Sequence, residues 1–232
     1  MYAPTSNIYA GQPVAEFFDP DTTQRHALGT IVQAVDPFWG LGEFVYQKAA
    51  VAFAQRGRLC TVDATETNGM IDMPNTANLA YPLYWNLAAM AINEFGWFQS
   101  VGNIPAQTAN SIAAGVAAGH VAGTLATNAA GKQVQGIKVI FASTKTFGKT
   151  NSITENGSKQ IKVPDYNGWF VGIPLTGTGV GASALVTALN PNGREVSVDV
   201  ASTASGTVTV TGTYTGFLWV YADHCTSQGA IT

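Results

Sequence analysis

The sequence predicts an all-β protein: a β-sandwich or β-barrel core, a second β-rich inserted module, and an extended N-terminal arm. Short apolar runs recur between Gly, Pro and Asn residues, which is the spacing of strands in sandwiches and barrels. Near the C-terminal end, apolar and polar residues alternate strictly. At 232 residues, the chain is long enough for one large all-β domain or two smaller ones.

The strict alternation is clearest in residues 194–214, REVSVDVASTASGTVTVTGTY. Val196, Val198 and Val200 share one face of a first strand, because side chains alternate sides with a period of two. Residues 203–206 supply a turn, and the valines after it share one face of a second strand. We therefore expect a β-hairpin.

The core strands are predicted from apolar runs that are bounded by turn-forming residues. These runs are 28–35, 43–49, 58–63, 82–90, 96–101 and 134–143. The preceding residues 1–27 contain several prolines and are predicted to be an extended arm. Residues 106–131, rich in Ala and Gly, are compatible with a helix, but each glycine would cost a helix roughly 1 kcal/mol. Short strands and turns are favoured there.

The polar residues 145–159 are predicted to be a linker or loop that leads into the second β module. Its further strands are expected at 160–163, 169–175 and 184–189. A final strand, 216–222, is expected to return to the first sheet, with Phe217, Trp219 and Tyr221 on one face. The predicted boundaries are an arm (1–27), a core (28–145), a module (146–215), and a closing strand with a tail (216–232).

Charged residues make up only 11% of the chain, against roughly a quarter in ordinary soluble domains. With so few charges to keep copies apart, we expect much of the exterior to be covered by neighbours. The formal net charge of −3 and the scattered lysines and arginines disfavour nucleic acid as a partner. No membrane span is expected, because the Ala-rich stretch is interrupted by polar residues.

Residues with catalytic or metal-binding potential do not form a motif. His26, His120 and His224 are spread over the chain, and no pair has zinc-site spacing. No nucleophile elbow is present. We therefore predict no catalytic residues, no cofactor and no metal. Cys60 and Cys225 are expected to be reduced thiols rather than a disulfide, in a chain made in a cytoplasm without a signal peptide.

Aromatic residues outside the predicted strands are the candidate contact residues. Phe38 and Trp39 lie in a Pro-Phe-Trp-Gly-Leu-Gly loop, and an aromatic pair at a loop tip more often contacts a partner than fills a core. The N-terminal arm is too apolar for a solvated tail, and such a segment gains order by lying across a neighbouring subunit. Its candidate contact residues are Tyr2, Tyr9, Phe17 and Phe18.

Several segments resemble, in order, those of tailed-bacteriophage capsid decoration, or cement, proteins. They are 43–63 (EFVYQKAAVAFAQRGRLCTVD), 73–77 (MPNTA), 95–101 (FGWFQSV), 128–134 (NAAGKQV) and 172–181 (GIPLTGTGVG). The resemblance implies a structural protein on the capsid exterior of a virion, made in the host bacterial cytoplasm. It also implies binding to the major capsid protein, often as a trimer, to hold capsomers together. The alternative is a head-fibre or tail-associated adhesion module that recognises a host-surface glycan.

Overall fold

The structure, a computed structural model, describes residues 3–4, 17–36, 39–63, 69–141, 144–190 and 194–230. Within these residues it contains seventeen β-strands and no α-helix, so the predicted all-β class is confirmed. The strands are β1 (Ala3–Pro4), β2 (Ile31–Asp36), β3 (Gly40–Lys48), β4 (Leu59–Val62), β5 (Met70–Asp72), β6 (Tyr84–Asn86), β7 (Phe95–Gln107), β8 (Ala118–Val121), β9 (Thr124–Thr127), β10 (Val134–Phe141), β11 (Thr144–Thr154), β12 (Gln160–Lys162), β13 (Leu175–Thr176), β14 (Val186–Asn190), β15 (Glu195–Val198), β16 (Gly206–Thr215) and β17 (Phe217–Ser227).

The chain divides into two compact units. Unit 1 consists of Met1–Ser143 and Gly216–Thr232, and unit 2 of Thr144–Thr215. The first and last residues of unit 2 are cross-strand partners, since Thr144 on β11 pairs with Thr215 on β16. Unit 2 is therefore an insertion whose two ends lie side by side, as is needed if the chain on both sides belongs to one fold.

Unit 1 is organised around β7, which is thirteen residues long. The main sheet has the order β1-β2-β3-β7-β6-β4-β5. The first half of β7 pairs with β3 and β6, and its second half, from Val101 to Gln107, pairs with β17. Strand β17 also pairs with β10. The prediction that residues 216–222 return to the first sheet is therefore confirmed.

Two clusters of buried side chains fill unit 1. The larger includes Trp85, Ile104, Val220 and, from β9, Leu125. The smaller surrounds Phe53 and includes Val45, Cys60, Met70 and Phe98. Alternate residues of β17 (Leu218, Val220 and Ala222) point into the larger cluster and are fully buried. This alternation fixes which face of β17 points outward.

The Ala- and Gly-rich residues 106–131 form the end of β7 and a separate hairpin of β8 and β9. The preference for strands over a helix is confirmed. Gly123 occupies the hairpin turn with a φ of +76°, which favours glycine. The two cysteines are free thiols in different clusters. Burial raises the pKa of Cys60, and it raises the pKa of Cys225 to about 12.

The polar residues 145–159 do not form a linker, so that prediction is wrong. Most of them belong to β11, an interior strand of the six-stranded sheet of unit 2, whose order is β13-β16-β11-β12-β15-β14. Strand β11 pairs with β16 along most of its length and with β12 at Ile153, and two of its polar side chains have local partners. Ser152 is fully buried and donates a hydrogen bond to the Lys149 carbonyl at 2.9 Å. The Lys149 ammonium, also buried, forms an ion pair with Asp165.

The predicted hairpin of residues 194–214 is also wrong in its pairing. Its two strands exist as β15 and β16, but β15 pairs with β12 and β14, and β16 pairs with β11 and β13. The intervening residues bind the β11–β12 connection instead. The Ser202 amide donates to the Ser158 carbonyl at 2.8 Å, and the Gly157 amide donates to the Ser202 carbonyl at 2.9 Å. Strands β15 and β16 run antiparallel, but the segment between them crosses β12 and β11, so the two strands are not neighbours.

The strand predicted at 169–175 begins later: Trp169 and Phe170 are buried between two turns, and β13 begins only at Leu175. These rings, with Ile173 and Leu175, join Val196, Val198 and Val210 among the buried apolar side chains of unit 2. The alternating valines therefore face inward as the sequence predicts, except for Val200, which is exposed beyond the end of β15.

We expect Asp165→Asn to destabilise unit 2 by about 1–3 kcal/mol, because it leaves the Lys149 ammonium buried without its carboxylate. The matched control is Glu195→Gln, which removes the exposed Lys162–Glu195 pair at 4.0 Å and should cost less than about 1 kcal/mol. Urea unfolding, followed by fluorescence of Trp169, measures both. Equal losses for the two variants would contradict this role of the buried pair.

Candidate interaction surface

The outward side of the unit 1 sheet carries exposed apolar residues. Val35 on β2 and Leu41 on β3 are cross-strand partners. Two residues after Leu41 on β3, Glu43 pairs with Val101 of β7, and Asp223 of β17 pairs with the same Val101 from the other side. Tyr221, two residues before Asp223, pairs with Asn103. The two-residue period of strands therefore places Leu41, Asn103 and Tyr221 on one face. We call this surface, formed by Val35, Leu41, Asn103, Trp219 and Tyr221, the outer face.

Exposure identifies which of these side chains a partner could touch. Val35, Leu41 and Tyr221 are 40%, 52% and 42% exposed. Trp219, two residues before Tyr221 on β17, is half-buried. Isolated exposed apolar residues are ordinary on protein surfaces, but neighbouring ones on a rigid sheet form a patch, and such patches often mark interaction sites.

Trp39 supports the outer face from beside it, which corrects the prediction that it lies exposed at a loop tip. Its ring is only 5% exposed and packs on Trp219 with the centroids 4.5 Å apart. The Asn103 amide nitrogen donates to the Trp39 carbonyl at 2.7 Å, and the Trp219 indole nitrogen donates to the Asn103 side-chain oxygen at 3.1 Å. The sequence missed this because its partners are far along the chain. Phe38 lies outside the described residues.

Residues 17–27 pack on their own sheet. Phe17 is 2% exposed and lies 4.7 Å from the Phe44 ring and 5.3 Å from the Trp97 ring, between centroids. Asp21 and Phe95 exchange two backbone hydrogen bonds, at 2.9 and 2.8 Å. The prediction of Phe17 as a contact with another subunit is therefore corrected: it fills a groove of its own chain.

Phe18 is half-buried, with the Arg56 guanidinium carbon 4.9 Å from its ring centroid, a cation–π arrangement. The other two predicted arm contacts, Tyr2 and Tyr9, lie outside the described residues. The described part of the arm therefore stabilises unit 1.

A polar cluster borders the outer face. The His224 ring bridges two carboxylates, with Nε2 3.1 Å from Glu43 Oε1 and Nδ1 3.0 Å from Asp223 Oδ1. The Ser100 hydroxyl donates to the same Glu43 oxygen at 2.9 Å. His224 has a φ of +43°, and its Glu43 contact spans the intervening strand β7. The hydrogen bond to Asp223 and the nearby Glu43 charge raise the pKa of His224.

This cluster differs from a hydrolytic triad in its connections. The Ser100 hydroxyl bonds to the carboxylate rather than to the imidazole that would have to accept its proton. The arrangement can hold a proton and tie β17 to β3. No local spacing in the sequence reveals it, because Glu43 and His224 are 181 positions apart.

A small cleft lies where residues 19–26 cover the start of β7. It is lined by Asp19, Asp21, Arg25, His26, Tyr46, Phe95, Gly96 and Trp97, with a cavity volume of about 10 Å³. That is below the usual size of ligand pockets, about 300–1,000 Å³. Tyr46 and Trp97 are buried, and His26 packs against both. The cleft therefore offers no open aromatic platform of the kind on which a sugar ring stacks.

Metal ligands do not converge in the part of the chain that the structure describes: no group of three His, Cys, Asp or Glu side chains could hold an ion. Nor do the described residues include a helix long and apolar enough to cross a bilayer.

Comparisons with protein-family models, with curated proteins and with solved structures gave no match to this chain.

We expect the His224 cluster to stabilise unit 1 below pH 6.5, the ordinary pKa of the residue, and to lose this contribution as the pH rises through its raised folded-state pKa. The effect should stay below about 1 kcal/mol, because His224 is exposed and solvent screens the charges. Chemical unfolding of the wild type and His224→Gln across this range measures it. A stability difference that does not shrink with rising pH would contradict the assignment.

Proposed function

We propose that this protein is a structural protein of a tailed-phage virion that binds the outer surface of the capsid and stabilises contacts between capsomers. The observation that carries the proposal is the exposed apolar outer face of unit 1, with Val35, Leu41 and Tyr221 at 40–52% exposure. The order of motifs that resemble decoration proteins, running from residue 43 to residue 181, supports the major capsid protein as the proposed partner.

The chemistry of the outer face suits a protein partner. A protein interface combines an apolar centre that contains aromatic residues with a polar, solvent-accessible rim. Here Leu41 and Tyr221 supply the apolar and aromatic parts, while Glu43, Asp223 and His224 lie along one border. Covering a half-exposed side chain of this size contributes about 1 kcal/mol.

The architecture suits a passive, rigid role. Within the outer face, Trp219 is held by its packing on Trp39, and the Asn103 side chain is held by its hydrogen bonds to Trp39 and Trp219. A preorganised surface loses little side-chain entropy on binding. The low charge content of 11% favours close contact with neighbouring molecules over repulsion.

Self-association is part of the proposal. We expect the purified chain to form a trimer at tens of micromolar, since symmetric closure covers apolar surface that a monomer leaves exposed. Sedimentation velocity measures this directly. A monomer across that concentration range would contradict a stable trimer in solution.

The capsid contact is tested with Leu41→Asp and Tyr221→Asp, each introduced singly. Each places a charge in the proposed contact and should weaken co-sedimentation with capsids of the encoding phage by roughly tenfold or more. The matched control is Ile92→Asp, which changes an equally exposed apolar residue in the turn before β7. Circular dichroism and thermal melts check that the variants fold. Unchanged binding by both outer-face variants, or an equal loss with Ile92→Asp, would contradict the proposal.

A further inference from the structure

The β8–β9 hairpin contains a buried histidine that the outer face does not use. His120 on β8 is 1% exposed and pairs with Leu125, which lies in the larger cluster of unit 1. Neither of its ring nitrogens has a hydrogen-bond partner. A buried imidazole without partners is tolerable when neutral, but its protonated form carries a charge that must be solvated or paired.

The groups around the ring do not supply that pairing. Lys132, from the segment that follows the hairpin, carries the same sign of charge, and its ammonium donates to Asn75 Oδ1 at 2.6 Å. The Pro74 carbonyl lies near enough to favour the protonated ring but does not meet hydrogen-bond geometry, and burial and Lys132 outweigh it, so the pKa of His120 is lowered. The carboxylate of Asp72, which lies against Gly123 in the hairpin turn, is already engaged by Arg58, whose Nη2 also donates to the Ala122 carbonyl at 2.9 Å.

Residues 73–78, which we call the latch loop, are fastened over this region. At one end the Gly123 amide donates to the Met73 carbonyl at 2.9 Å, and at the other the Asn78 amide donates to the Gly131 carbonyl at 2.7 Å. The Lys132–Asn75 bond holds its middle. Residues 73–77 of the latch loop and residues 128–134 are two of the segments that resemble decoration proteins. The two segments contact each other, and His120 lies beside them.

We infer that His120 is a proton-sensitive latch: when its ring takes up a proton, the latch loop separates from the β8–β9 hairpin and the segment 128–133 so that water can solvate the charge. The open state binds a proton that the closed state excludes. Acid therefore favours opening, and the effect begins below pH 6.5, the ordinary pKa of a histidine. This inference does not depend on the proposed function.

Hydrogen exchange across a pH series tests the latch in the intact protein. The protection factors of the Asn78 and Gly123 amides, corrected for intrinsic exchange, should fall by up to about tenfold per pH unit below pH 6.5, because opening takes up one proton. The β11–β16 amides of unit 2 are the internal control and should show no such dependence. In His120→Leu, which cannot titrate and keeps the site apolar, protection at both amides should not depend on pH in this range.

Histidine NMR on the wild type keeps the inference testable if the variant folds poorly. The His120 ring resonances should begin to titrate only where the two latch amides lose protection, well below the titration of His224. Ring titration near or above pH 6.5 with the amides still protected would overturn the inference. So would protection at Asn78 and Gly123 that stays constant with pH in the wild type.

Discussion

The backbone pairing of β7 is the constraint on which the rest of unit 1 depends. This strand pairs along one edge with β3, and along the other first with β6 and then with β17. The change of partner falls between Gln99 and Val101, and it is followed at once by Gly102, which has a φ of +110°. A Cβ there would lie 2.4 Å from the Leu41 carbonyl oxygen, so the close approach of β3 and β7 needs glycine.

Both proposed features follow from that arrangement. Because β17 joins β7 directly, Tyr221 and Trp219 come onto the same surface as Leu41, although they lie far apart in sequence. The opposite face of β17 is filled by Leu218, Val220 and Ala222, which together with Leu125 of the β8–β9 hairpin belong to the larger cluster. The outer face and the His120 latch therefore lie on opposite faces of the β7–β17 pair. A partner bound to the outer face need not contact the latch loop.

The local sequence pattern predicted which segments form strands better than it predicted which strands pair with each other. All six apolar runs predicted for the core contain a strand, and the closing strand returns where expected. Alternating valines reveal which side of a strand is buried, but not which strand lies beside it. The predicted hairpin failed for that reason: β15 and β16 are separated in the sheet by β12 and β11. Strand β11 was missed because its Lys149 and Ser152 look solvent-exposed until Asp165 and the sheet supply partners.

The outer face was only partly predictable. Period-two spacing placed Phe217, Trp219 and Tyr221 on one face, yet Trp39 was assigned to solvent because its partner, Trp219, is distant in sequence. The Glu43–His224 contact also joins residues that are distant in sequence, and no local sequence pattern predicts it. Both contacts join residues of β17 to residues on the far side of β7 that the β7 pairing brings together.

Hydroxyl-radical footprinting of the protein, free and bound to capsids, tests the central claim most directly, because it measures side-chain exposure without any substitution in the sequence. The account predicts that Leu41 and Tyr221 are modified in the free protein and strongly protected on capsids, while Ile92, which is 58% exposed, is modified equally in both. Equal modification of Leu41 and Tyr221 in the free and bound states would contradict it.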